Sequence, residues 1–387
     1  MSTALPEGIC IADEIPSLKN LPGFLFHCGI SPITARAASA LSLYTEELTQ
    51  DPWSTFFPRL NRIKETRRQA AALIGANTDE VAFVKSTTHG LLLVAQSIDW
   101  QEDDVILVDE QTFPANWYVW TALEERFGVH VVPWPEQDYG YDLQELERLL
   151  ARHTVRMVAV SAADYATGFR HDLNALGFMV KNAGALFCVD AIQVVGVTPV
   201  NVKHAQVDFL SADGHKWMMG PEGAGIFYVN PSVHHELNDS MTGWLGRKNF
   251  QDYGNRDLPP APNATRFEEG ALNMPGILAL GGSLSLLNEI GVETIHARVM
   301  ENQQVINSWG SEHGFCQISA VNLEHASGIS AFQLPKSIEL DQLTKRAAEA
   351  NVIISARRNF LRIAPHFYQE PIQVEAALQV LNKLIKS

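Results

Sequence analysis

Between residues 100 and 190 the chain alternates short apolar runs with helical patterns, and few folds accept that rhythm. The runs ILV at 106–108, VHVVPW at 129–134, RMVAVSA at 156–162 and ALFCVD at 185–190 read as buried strands. Helical periodicity fills the gaps at 116–127, 142–152 and 172–182. Strand–helix alternation of this kind predicts an α/β fold with a doubly wound, mostly parallel sheet. Two further helices are expected upstream, at 32–49 and at 59–75, where Gly75 suits a helix C-terminus.

After Val229 the texture changes. A polar loop rich in Gly and Pro, 241–267, leads into a long helical region over 275–309. Shorter strands follow at 318–321, 328–334, 352–355 and 360–364, with helices at 340–350 and 374–385, which reads as a smaller α+β domain. A length of 387 residues also suits two packed domains better than one core. The expected division is an N-terminal arm over 1–20, a large domain over 21–265 and a small C-terminal domain over 266–387.

Several function classes are disfavoured. A formal charge of −15 and the lack of any Lys/Arg run argue against nucleic acid. No apolar stretch reaches the ~18 residues of a membrane span. Four scattered cysteines, Cys10, Cys28, Cys188 and Cys316, lack CxxC spacing, so neither a disulfide framework nor a zinc site is expected. His234, His235 and Glu236 are adjacent on a polar stretch and read as solvated, leaving no metal site. The N-terminus carries no basic-then-apolar leader, so the expected location is the cytoplasm. No GxSxG, HExxH or Walker loop is present.

Three segments carry chemistry. In VDFLSADGHKWMMGPEGAG, 207–225, an apolar strand ends and Lys216 follows on a turn of small residues, between His215 and Trp217. Partial burial there would lower the ammonium pKa, as a Schiff-base amine requires. The same segment suits a lysine that snorkels beside an exposed turn. In CVDAIQ, 188–193, a buried strand ends on Asp190, at the edge where open α/β sheets place ligands. A buried carboxylate there could keep the pyridine nitrogen of pyridoxal 5'-phosphate (PLP) protonated, with Gln193 reaching the ring's phenolic oxygen. Asp190 could equally cap a helix. In KSTTHGLLLV, 85–94, hydroxyls and a glycine precede an apolar helix, which makes an anion site or an ordinary cap.

Together and in this order, the segments resemble the class V aminotransferase family of fold-type I PLP-dependent enzymes, which includes cysteine desulfurases and kynureninases. The resemblance spans nearly the whole chain. It extends to FPAN at 113–116, Thr167 with Gly168, RFEEG at 266–270 and LRIAPHFYQ at 361–369. It implies Lys216 as the aldimine lysine and Asp190 and Gln193 as the groups holding the ring. Thr87, Thr88 and His215 would bind the phosphate, and Phe113 would stack on the ring. Arg362 would clamp the substrate α-carboxylate, with Tyr165 as a substrate-side contact. Read alone, Phe113 also suits a core position and Arg362 a surface ion pair. A homodimer is implied as well.

Three departures bear on the reaction. Desulfurases of this family carry a nucleophilic cysteine on a loop shortly before the substrate arginine; here that stretch is SARRNF, 355–360, without cysteine. Cys188 and Cys316 read as buried small hydrophobes. Asp213 stands where desulfurases tend to have a phosphate-binding serine, so it is expected to turn away or bind something else. Ala271 stands where a threonine reaches the partner's phosphate. The expected function is thus a PLP enzyme acting on an amino acid, an aminotransferase of class V type. The alternatives are a Cβ lyase (cysteine desulfurase-like or kynureninase-like) and a non-catalytic PLP-binding regulatory descendant.

Overall fold

A computed structural model of the protein describes residues 3–386. Its centre is a seven-stranded sheet in the order Val81–Val84, Gly225–Val229, Phe209–Asp213, Leu186–Asp190, Val155–Ser161, Val105–Asp109, His130–Trp134. Every strand is parallel to its neighbours except Gly225–Val229, which runs antiparallel to both of its own. The strands at 105–109, 186–190 and 209–213 are buried throughout, because helices cover both faces. His130–Trp134 is half exposed and includes Pro133, which a strand at a sheet edge tolerates because one side needs no ladder donor.

The helices between these strands begin where side chains can satisfy free amides. Asp142 caps Leu143–Arg152 by accepting from Gln144 N, and Asp172 caps Leu173–Asn182 by accepting from Asn174 N and Ala175 N. Helix Ala115–Phe127 stops at Gly128, whose φ of 71° lies in the left-handed region. All the parallel strands end on one edge of the sheet, where Asp109, Ser161, Asp190 and Asp213 stand.

The expected helical region at 275–309 is instead two helices, Met274–Ile290 and Val292–Glu312, bent by 82°. Gly291 joins them with φ 84°, a conformation that glycine adopts without steric cost. Met274–Ile290 packs against Ala35–Gln50 and Phe56–Leu73. A four-stranded antiparallel sheet follows, ordered Ser355–Arg357, Phe360–Ile363, Ser330–Gln333, Cys316–Gln317. Two expected strands differ here. The one at 318–321 lies earlier, at Cys316–Gln317. The one at 352–355 divides, because Val352–Ile353 pairs in parallel with Gly23–Phe24 while Ser355–Arg357 joins the antiparallel sheet.

That parallel pairing carries the N-terminal chain across the C-terminal unit. Leu25 N donates to Ile353 O at 2.8 Å, Ala364 N to Leu25 O at 2.9 Å, and His27 N to Ala364 O at 3.1 Å. Cys28 and Gly29 thereby reach the edge of the central sheet.

Helix Thr87–Ser97 lies on strand Phe209–Asp213 with almost no gap. A Cβ on Gly90 would come within 2.7 Å of Ser211 Cβ and closer still to its hydroxyl, which donates to Thr87 O at 3.0 Å. Gly90→Ala should push the helix N-terminus off the sheet. The expected result is lower thermal stability by about 1–3 kcal/mol with a disproportionate loss of anion affinity, read by phosphate or PLP titration.

Candidate active site

The strand ends, the N-terminus of helix Thr87–Ser97 and the hairpin 355–363 enclose a cavity of about 310 Å³. Its wall includes Thr87, Thr88, Phe113, Tyr165, Asp190, Gln193, His215, Lys216 and Arg362. The structure thus brings together every residue that the sequence pointed to for cofactor or substrate. It adds Cys28, Gly29, Ser86, Ile192 and Arg357. Four other cavities of comparable or larger size among the described residues lie elsewhere and share none of these residues.

Asp190 ends its strand as a buried carboxylate. Its Oδ1 accepts from Ile192 N at 3.1 Å, and no cationic group forms an ion pair with it among the described residues. Burial pushes its pKa up to about 6, against the pull of the Ile192 amide and the Lys216 charge. Lys216 is held below the ordinary lysine range, again chiefly by burial, which the nearby Asp190 partly offsets. Its Nζ lies 5.9 Å from the centroid of the Phe113 ring, and Phe113 meets Tyr165 edge-on at 5.2 Å. Phe113 is 44% exposed, so it is a wall of the cavity and not a core residue.

Gln193 is fixed at both ends. Trp217 Nε1 donates to its Oε1 at 2.9 Å, and its Nε2 donates to Cys28 O at 3.0 Å. The amide orientation is therefore determined, and one N–H remains for a group in the cavity. Behind it lies a buried network that the sequence did not announce. His366 Nδ1 accepts from Phe367 N at 2.8 Å, so its Nε2–H donates to Trp217 O at 3.0 Å. His27 Nδ1–H donates to Ala364 O at 2.8 Å, leaving Nε2 to accept from the Tyr368 hydroxyl at 2.8 Å. Burial holds His366 neutral, with a pKa of about 4, and lowers His27 well below its usual value. This network grips the backbone immediately after Lys216.

At the helix end, Ser86 caps by accepting from His89 N at 3.1 Å, and Thr87 Oγ1 accepts from Asp213 N at 3.0 Å. The first amides, of Thr87 and Thr88, precede the intrahelical ladder and are left for an anion. Asp213 does not oppose it. Its Oδ1 accepts from Gly214 N at 2.7 Å, and its Oδ2 sits 3.0 Å from His215 Nδ1, placed for charge pairing but out of line for a hydrogen bond.

Arg362 is 2% exposed, yet among the described residues no carboxylate pairs with it. Its Nη1 donates to the backbone carbonyl of Tyr165, and its buried Nε has no acceptor. Such a group is costly unless an anion completes it. The surface ion pair that also suited Arg362 is thereby replaced by an open donor. Tyr165 contributes its carbonyl to Arg362 and its ring to Phe113.

The residues fit PLP in donor chemistry: a helix N-terminus with hydroxyls for a phosphate, an unpaired buried carboxylate for a pyridinium and an amine of lowered pKa. Because Asp190 has a raised pKa in the folded apoprotein, its carboxylate withdraws stability as pH rises from about 4 through about 6. Asp190→Asn apoprotein should therefore exceed wild type by roughly 1–3 kcal/mol above pH 7, with the gap closing near pH 4. The same variant should lose PLP affinity. Denaturant melts across that range and quenching of Trp217 fluorescence by PLP read the two effects separately.

The family model "Aminotransferase class-V" matches residues 56–371. The chain is 28% identical over 354 residues to the uncharacterized aminotransferase YcbU of Bacillus subtilis, covering 92% of each protein. It is 27% identical over 341 residues to a probable cysteine desulfurase of Pyrococcus abyssi, covering 84% of each. Among solved structures, the apo cysteine desulfurase of Thermococcus onnurineus superposes with a TM-score of 0.88 at 22% identity, over 100% of this chain and 99% of that one. A cystine C-S lyase, C-DES, in complex with cysteine persulfide superposes with a TM-score of 0.87 at 18% identity, over 95% and 98%. These likenesses establish the fold-type I architecture, and the match to the family model shows that the chain belongs to the aminotransferase class V family of PLP-dependent enzymes.

Proposed function

We propose that this enzyme is a class V aminotransferase that holds its amino acid on Arg362 and moves the Cα proton with Lys216. The observation that carries the choice is the hairpin at the cavity mouth. Strands Ser355–Arg357 and Phe360–Ile363 are joined by only Arg358 and Asn359, whose φ values of 50° and 63° suit a tight two-residue turn. A nucleophilic cysteine on a longer loop, as the desulfurases of this family have, finds no counterpart here. Cys188 is buried inside the sheet and its thiol pKa is pushed well up by burial, while Cys316 is exposed on the outermost short strand.

When bound, PLP supplies the electron sink that makes loss of the Cα proton feasible. The protein's part is to place and poise groups. Asp190 would hold the protonated ring nitrogen, Gln193 would donate its remaining N–H, and Phe113 would cover one face. The amides and hydroxyls of Thr87 and Thr88, with His215, would take the phosphate. Arg362 would receive the α-carboxylate as a planar donor pair, fixed in direction by the Tyr165 carbonyl. Lys216, whose pKa burial lowers, would then accept the proton at Nζ.

A second reading, a Cβ lyase releasing sulfur, is favoured by one feature: Cys28 lines the cavity, with its Sγ 3.9 Å from Ser355 Oγ. Purified holoenzyme with each of the twenty amino acids and a 2-oxo acid separates the readings. Transfer of the amino group to the oxo acid, lost by about 10³-fold or more in Lys216→Ala, is the expected result. Sulfide or enzyme persulfide from cysteine, abolished in Cys28→Ser, would replace the aminotransferase with the lyase. Bound PLP without turnover of any amino acid would leave the regulatory reading. The same proposal includes a homodimer, supported by the exposed apolar residues Leu43, Leu48 and Phe57 on neighbouring helices and Trp53 in the turn between them. Sedimentation should give twice the chain mass, and a monomer would contradict it.

A further inference from the structure

The hairpin that excludes a cysteine loop places a second arginine in the cavity. Ser355 pairs with Arg362 and Arg357 with Phe360 across the antiparallel ladder. Side chains opposite one another share a face, and so do residues two apart on one strand. Arg357 and Arg362 are therefore diagonal neighbours on one face, about 7–8 Å apart at the backbone, and both line the same cavity.

The three arginines of this hairpin have different surroundings. Arg358 is neutralised by Glu136, with Nη2 2.6 Å from Oε2. Arg362 is buried and lacks an anion. Arg357 is exposed at the rim, its Nη1 donates only to Ala356 O at 2.8 Å, and no carboxylate pairs with it among the described residues. Two unmatched guanidinium groups in one cavity run against the −15 charge of the whole chain. The carboxylates in the wall do not answer them, because Asp190 stands at the end of the sheet strand and Asp213 is turned to Gly214 and His215.

Resting on the aminotransferase reading, we infer that the preferred substrates are dicarboxylic amino acids and their oxo acids. Arg362 takes the α-carboxylate and Arg357 the carboxylate at the far end of a side chain. A diacid about four or five carbons long can be gripped by a guanidinium at each end, each contact being a charge-assisted, two-pronged hydrogen bond. An uncharged side chain leaves Arg357 in water and gains nothing from it. Because Arg357 is exposed, replacing it removes the charge without opening the core.

Two measurements test this. The first needs no turnover: isothermal titration of the holoenzyme with succinate and glutarate, with butyrate as the single-carboxylate control. Tighter binding of the diacids by at least tenfold, reduced to near the butyrate value in Arg357→Gln and partly restored in Arg357→Lys, is expected. The second is the ratio of kcat/KM for aspartate or glutamate over that for alanine, which should fall at least tenfold in Arg357→Gln. Equal losses for both substrates, or a parallel drop in PLP affinity, would assign Arg357 to the cofactor or scaffold and overturn the inference. So would a wild-type enzyme that transaminates neutral amino acids and shows no preference for diacids. If no amino acid of either class is transaminated, the aminotransferase reading fails instead, whatever the titrations show.

Discussion

A carboxylate buried at the end of a parallel strand, without a cation to answer it, is the constraint on which the site depends. Asp190 cannot be solvated, and its raised pKa of about 6 expresses that cost. The sheet tolerates it because the strand is held on both sides by parallel ladders, Val155–Ser161 and Phe209–Asp213. The neighbouring groups are arranged around the same missing positive charge. Lys216 is too desolvated to be a comfortable ammonium, and the orientation of Gln193 is set by Trp217 and the Cys28 carbonyl. Such a site is unstable alone and complete with a cationic ring, which is how preorganised electrostatics are built.

The second organising feature is mechanical. The N-terminal chain threads between the two units, pairing with Val352–Ile353 and then with Ala364, so that Cys28 and Gly29 arrive at the central sheet. His27, Tyr368, His366 and Trp217 fill the joint with neutral, fully hydrogen-bonded aromatic groups. The joint links the strand that bears Arg362 to the turn that bears Lys216. Arg362 and Lys216 are therefore positioned by one rigid network, which would suit the proposed reaction, sensitive as it is to small misplacements.

Much of this was legible in the sequence, for identifiable reasons. The parallel strands were readable because burial on both faces demands continuous apolar runs, and Asp142 and Asp172 announced their helices by capping them. That Lys216, Asp190 and Thr87 share one cavity was readable because each stands at the end of an apolar element, where an open α/β sheet leaves a crevice. What escaped depended on long-range pairing. Nothing local says that 352–355 must divide between two sheets, or that Cys28 would reach a cavity built by residues as distant in the chain as Thr87 and Arg362. Gly291 was visible, yet a glycine inside an apolar helical pattern does not declare a bend of 82°. Nothing in the sequence distinguishes Arg357 from Arg358, since only the cross-strand register separates them.

The central claim is that Lys216 is the amine to which PLP attaches, in a cavity poised by Asp190. Borohydride reduction of the holoenzyme, followed by proteolysis and mass spectrometry of the peptides, tests it most directly. The account predicts one stoichiometric reduced-PLP adduct, on the peptide carrying Lys216, with the label absent in Lys216→Ala. An adduct on a different lysine, or no adduct after saturation with PLP, would contradict it.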